Sequence, residues 1–272
     1  MSETTPSTFA DLGLRAASGV GLGLLALLLF WLGGWWSAAL LAVGAGLMVW
    51  EFREMVLGEG AGTSVLGLLS IAAAAGSVIA TEALEMRFGI ILVAIVAVIL
   101  TLGEGRRGRM AVFGFLYISV AMMCIDGLRA DEKYGFVAVI WLIIIVIGAD
   151  VGGYFAGRMF GGPKLWLRVS PKKTWSGFFG GILLAVLLGL IFSALTPGTF
   201  AVKVALMSAL IAVVSVGGDL IESACKRYYG IKDSSNLLPG HGGVLDRLDG
   251  LMAAAIVAGL ITFARGQSVF VW

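Results

Sequence analysis

Along this chain apolar residues come in runs of about 15–20, near 16–33, 35–50, 62–80, 87–103, 110–127, 135–153, 177–195, 200–217 and 250–265. A run of that length covers roughly 30 Å of hydrocarbon at about 1.5 Å of helix rise per residue. The pattern predicts an all-α, polytopic helical membrane protein with about nine transmembrane helices. Only Gly33 and Gly34 divide the first two runs, which predicts a tight helical hairpin. Trp35, Trp36 and Trp50 stand at run ends, where indole rings favour the headgroup region. Residues 1–14 are polar and mildly acidic rather than basic, so the first run is expected to be a span and not a cleaved signal. No internal repeat is visible, which leaves inverted-repeat transport architecture without support.

Composition agrees. Of 272 residues, 59% are hydrophobic and 13% charged, against about a quarter charged in soluble domains. The 40 glycines suit close helix packing in a membrane. A net charge of +2 gives no reason to expect a nucleic-acid partner. Cys124 and Cys225 are isolated, which predicts free thiols and no cysteine-based metal site.

The placement of charge carries more information. With nine spans, fourteen of the 19 Lys and Arg fall on the side of the N-terminus and five on the other. The positive-inside rule makes the basic side cytoplasmic, with the N-terminus inside. Both long polar loops, 158–176 and 218–249, open on that side. The chain is expected to divide into residues 1–134, holding spans one to five, and residues 135–272, holding spans six to nine and nearly all the chemistry.

Residues 215–250 concentrate five carboxylates (Asp219, Glu222, Asp233, Asp246, Asp249), four cations (Lys226, Arg227, Lys232, Arg247) and the only histidine, His241. Ionisable groups near bilayer depth are costly and mark substrate or ion sites. Asp219, Glu222, Ser223, Lys226 and Arg227 are spaced to share one helical face. Asp246 and Asp249 follow at i, i+3 after the Gly240-His241-Gly242-Gly243 turn. Two carboxylates on one face, opposite a third on the neighbouring span, make a hard-oxygen site suited to Mg²⁺. His241 is open to two roles: a metal ligand, or a hydrogen-bond donor to phosphate or carboxylate. Asp150, eight residues before Arg158, needs a cation or metal partner at its depth. Gly153, Gly157 and Gly161 recur every fourth residue, a helix-packing pattern. Ser170-Pro171-Lys172-Lys173-Thr174 gathers hydroxyls and ammonium groups before a helix start, which suits either a phosphate or anionic lipid headgroups.

Ser223-x-x-Lys226-Arg227, Lys232-Asp233 and Pro239-x-His241-Gly242-Gly243-x-x-Asp246-Arg247-x-Asp249 resemble the signature of the phosphatidate cytidylyltransferases (CDP-diacylglycerol synthases). Gly148-Ala149-Asp150 and Ser170–Trp175 are similar to other blocks of that family, while Ser176 and Gly250 stand where it often has Glu and Ser. The resemblance implies an inner-membrane enzyme that joins CTP to phosphatidate, with its active site on the cytoplasmic side. It implies Mg²⁺ on Asp219, Asp246, Asp249 and Asp150, with room for a second cation. Lys226, Arg227, His241 and Asp246 would be catalytic. Ser170, Lys172, Lys173, Thr174, Ser223, Lys226, Arg227, Lys232, Asp233, His241 and Arg247 would contact substrate. Membrane lipid is the implied surrounding partner, and a homodimer is compatible with the sequence. The alternatives are a CTP-dependent polyprenol or phytol kinase and a transporter; a CDP-alcohol phosphotransferase lacks its second set of spaced carboxylates.

Overall fold

The computed structural model describes residues 9–237 and 242–270, with side chains from residue 19 onward. Nine α-helices are present among them: α1 (Phe9–Leu32), α2 (Trp35–Leu57), α3 (Val65–Ala83), α4 (Met86–Glu104), α5 (Arg109–Arg129), α6 (Gly135–Phe160), α7 (Trp175–Leu195), α8 (Ala201–Tyr228) and α9 (Leu245–Arg265). Seven of the nine, α3 to α9, are long and apolar enough to cross a membrane.

Helix boundaries and apolar runs agree where a glycine or serine marks the end. Gly33 and Gly34 both take positive φ, 68° and 53°, and turn α1 into α2 without an intervening loop. Trp31, Trp35 and Trp36 surround that turn and are exposed, as interfacial indoles should be. Agreement fails where the helix outlasts its apolar run. The sixth run ends at 153, but nothing in Gly-Tyr-Phe-Ala-Gly-Arg-Met-Phe breaks a helix and α6 continues to Phe160. Likewise α8 continues eleven residues past 217 to Tyr228, and α9 starts at Leu245, ahead of the run at 250. These polar extensions hold the charged residues on rigid helices.

The fold is not purely helical. Two short antiparallel strands, β1 (Lys164–Trp166) and β2 (Ser170–Thr174), pair with Lys164 opposite Thr174 and Trp166 opposite Ser170. The segment read from sequence as a basic turn is therefore a hairpin. Its exit is fixed by Thr174, whose Oγ1 accepts a hydrogen bond from Gly177 N at 3.1 Å as the N-cap of α7. Thr174→Ala is expected to cost about 1 kcal/mol and Thr174→Ser almost nothing, read as melting temperature in detergent.

The core lies around α5, which packs against α2, α3 and α9, with Phe115, Ile118 and Met122 almost wholly buried. The closest helix pairing is α6 on α7. On α7, Gly177, Gly181, Ala185, Gly189 and Ser193 form a buried stripe of small residues at every fourth position. A Cβ at Gly177 would lie 2.6 Å from Gly153 O, so these backbones are in direct contact. Gly153 and Gly157 thus pack as the spacing predicts. Gly161 does not: it has nothing within 4 Å and ends α6 with φ 61°, a conformation that favours glycine.

Candidate active site

One end of the bundle collects the C-terminal turns of α2, α6 and α8, the N-terminal turns of α7 and α9, and the β-hairpin. Two charged groups form there. In the first, Lys173 at the end of β2 makes an ion pair with Asp219 of α8. Ser223, one turn further along α8, donates from Oγ to Asp219 Oδ1 at 3.1 Å. Asp150 of α6 lies within Coulombic reach of Lys173 and Asp219, and Asp249 of α9 within reach of Asp219 and Asp150. Four elements thereby bring three aspartates around one lysine.

In the second group, Lys226 Nζ donates to Asp246 Oδ1 at 2.6 Å and stands 3.1 Å from Glu222 Oε1. All three side chains are nearly buried. Asp246 Oδ2 accepts from Ser234 N, Ser234 Oγ and Gly243 N, each at 2.9 Å. Glu222 and Asp249 lie within Coulombic reach of each other and link the two groups.

The two aspartates at i, i+3 therefore serve different partners. Asp249 joins the Asp150–Asp219 group, while Asp246 binds Lys226 and orders the loop before α9. Among the described residues, no three His, Cys, Asp or Glu side chains form a ready-made metal cluster. Asp150, Asp219 and Asp249 nonetheless offer carboxylate oxygens, the chemistry a hard divalent cation requires, beside the Lys173 ammonium that now pairs with Asp219. Asp246 offers less: Oδ2 is already taken three times, which leaves Oδ1, shared with Lys226.

Arg227 falls off the α8 face that sequence spacing gave it. It is exposed and donates from Nη1 to Ile231 O at 3.0 Å, closing the end of α8. Lys232, Asp233 and Arg247 are exposed around the mouth of the site, and His241 lies outside the described residues. A cavity of about 570 Å³ opens beside the first group, between α6, α7 and the hairpin. Asp150, Tyr154, Arg158, Lys164, Lys172 and Lys173 supply its polar lining, and Gly153, Gly157 and Gly177 its floor. Ser170 sits at the start of β2, next to this lining but not in it. Ser176 donates from Oγ to Gly161 O and closes the hairpin onto the end of α6, a structural task for the position where an acid was in question.

Two contributors from the first half escape the sequence reading. Glu51 of α2, fully buried, accepts hydrogen bonds from Val244 N and Leu245 N at 2.9 and 2.8 Å. Tyr117 of α5 lies near Glu222 and Asp249. The available signal for Glu51 was a carboxylate directly after the apolar run that ends at Trp50.

A bundle of apolar helices with lysines and carboxylates converging at one end, beside a cationic cavity, defines an integral membrane protein with a polar site at one end of its bundle. The chain belongs to the cytidylyltransferase family, which residues 13–264 match. It is 37% identical over 250 residues to the phosphatidate cytidylyltransferase of Brucella suis biovar 1, covering 90% of this chain and 91% of that protein. It is similar over shorter stretches to the phosphatidate cytidylyltransferases of Bacillus subtilis, 39% identical over 139 residues and about half of each chain, and Helicobacter pylori, 43% over 148 residues and 54% of each.

Proposed function

We propose that this protein is a phosphatidate cytidylyltransferase, converting CTP and phosphatidate to CDP-diacylglycerol and pyrophosphate. The observation that carries this reading is end-to-end similarity to an enzyme of that name. The charged groups of α8 and α9 and the cationic cavity supply matching chemistry. A phosphate oxygen of phosphatidate attacks the α-phosphorus of CTP, a P–O–P linkage forms, and the α–β bond breaks to release pyrophosphate. The nucleophile is a phosphate monoester with a second pKa of about 6, already largely dianionic at neutral pH, so no general base is required.

The difficulty is charge, since two polyanions must meet. Lys172 and Lys173 from the hairpin would hold one set of phosphates at the cavity, with Ser170 and Thr174 as neighbouring hydroxyls. Lys226, Arg227, Lys232 and Arg247 would surround the other with Ser223 and Asp233, and His241 would donate to phosphate. Asp219 and Asp249, with Asp150 and the Oδ1 that Asp246 shares with Lys226, would hold Mg²⁺. The ion, when bound, would neutralise triphosphate oxygens and favour in-line displacement. A second cation beside it is compatible with the number of carboxylates.

In this reading the nine helices all span a bacterial inner membrane with the N-terminus inside, and the site lies at the cytoplasmic end. CTP enters from solvent and phosphatidate from the bilayer. Residues 135–272 carry the catalytic charges and residues 1–134 support them; a homodimer is compatible with this arrangement.

The test uses purified protein in detergent with phosphatidate, Mg²⁺ and CTP labelled at the α- or γ-phosphate. Transfer of α-label to lipid with release of pyrophosphate, abolished by EDTA and restored by Mg²⁺, is the expected result. Transfer of γ-label to a long-chain alcohol would make the protein a kinase. No labelled lipid from folded protein would return transport to the front.

A further inference from the structure

We infer that Glu51, on α2 and far from the motifs in sequence, is a positioning residue for the catalytic loop. This rests on the reading given above. Helix α9 begins without a side-chain cap of its own, at Val244. Its first amides would be left without acceptors. Glu51 reaches across from α2 and takes them: Val244 N binds Oε1 at 2.9 Å and Leu245 N binds Oε2 at 2.8 Å. A carboxylate at that place also meets the positive end of the helix dipole.

The same carboxylate holds the loop that precedes α9. Ser235 Oγ donates to Glu51 Oε1 at 2.5 Å. Ser234 Oγ stands 3.5 Å from Oε2 and 2.9 Å from Asp246 Oδ2, and so lies between the two acids. Gly243 explains itself here: a Cβ would come within 2.8 and 2.9 Å of the two Glu51 oxygens. Glu51 thereby fixes both ends of the loop that places Asp246 against Lys226, with zero exposure to solvent. It touches no proposed substrate position, so its effect passes through Ser234, the backbone at 243–245 and Asp246.

The test compares full-length Glu51→Gln, Ser234→Ala and their double variant in detergent. Glutamine preserves shape but turns one acceptor into a donor facing a backbone N–H. Turnover in Glu51→Gln is expected to fall about 10–100-fold, the usual effect of removing an outer-shell partner. Glu51→Asp, which keeps the charge, should recover part of that loss. The double variant should lose no more than the worse single one, because both act on one linkage; simple loss of stability would make the losses multiply. Hydrogen exchange should accelerate in the peptide covering 242–250 and stay unchanged in α6 and α7. Wild-type turnover in Glu51→Gln, multiplying losses or unchanged exchange at 242–250 would each overturn the inference. If wild-type protein transfers no α-label to lipid, the catalytic role falls with the proposed function. The exchange measurement then still decides whether Glu51 holds α9.

Discussion

Asp246→Asn is expected to leave the protein folded in detergent and to lower kcat by about 10³-fold or more, roughly 4 kcal/mol of transition-state stabilisation. The carboxylate is used on both sides at once. Its Oδ1 accepts a hydrogen bond from Lys226 Nζ at 2.6 Å, and its Oδ2 accepts three hydrogen bonds from Ser234 and Gly243. Asparagine has one acceptor oxygen and must turn its NH₂ toward either the ammonium or the two backbone amides, so donor meets donor whichever way it lies. Lys226 would be left with Glu222 as its remaining ion-pair partner, and the loop would lose its anchor. Side-chain volume and core packing are unchanged, so the protein should remain folded, with its melting temperature lowered by the broken ion pair, while turnover collapses. Turnover within about tenfold of wild type would remove Asp246 from the catalytic machinery.

Gly181→Ala tests the other requirement, that α6 and α7 touch. The added Cβ would lie 2.5 Å from Ala149 O and 3.4 Å from Ala149 Cα, all backbone, so no side chain can rotate away. The helices must separate. Overpacking of this kind costs about 1–3 kcal/mol, expected as a fall of several degrees in melting temperature. Activity should fall too, because Ala149 is bonded to Asp150 and any shift of α6 moves that carboxylate from Lys173 and Asp219. Gly44→Ala is the control: its Cβ would meet nothing within 4 Å, and neither property should change. A Gly181→Ala protein as stable as that control would show that the contact yields freely.

The helices were largely legible because burial in lipid writes itself as long apolar runs. What the runs could not show was where α6, α8 and α9 stop. Polar helical extensions follow local propensity and tertiary packing, neither of which hydropathy measures. The α8 face was readable from spacing for Asp219, Ser223, Glu222 and Lys226, whose side chains meet as two i, i+4 pairs. Arg227 was not, because the unwinding at Tyr229 offered it a carbonyl to bind. The β-hairpin stayed hidden because its strands are three and five residues long, with a proline and two lysines where alternation would normally be read. Asp246 and Asp249 looked alike on one helix and were separated only by what approaches from α8. Glu51 left the faintest trace, since nothing local distinguishes a carboxylate that will cap a distant helix from one that will face solvent.

The contact between Glu51 and Val244 joins positions 193 residues apart. During synthesis at about 5–20 residues per second, α2 is complete about 10–40 s before α9 exists to receive that carboxylate. For this interval Glu51 must remain hydrated at the membrane surface, and α5 and α8 must keep a face open for a last arrival. The order of manufacture thus makes the final helix the one that seals the site, so that a ribosome-released chain shortened at its C-terminus carries every lysine of the cavity and no assembled centre.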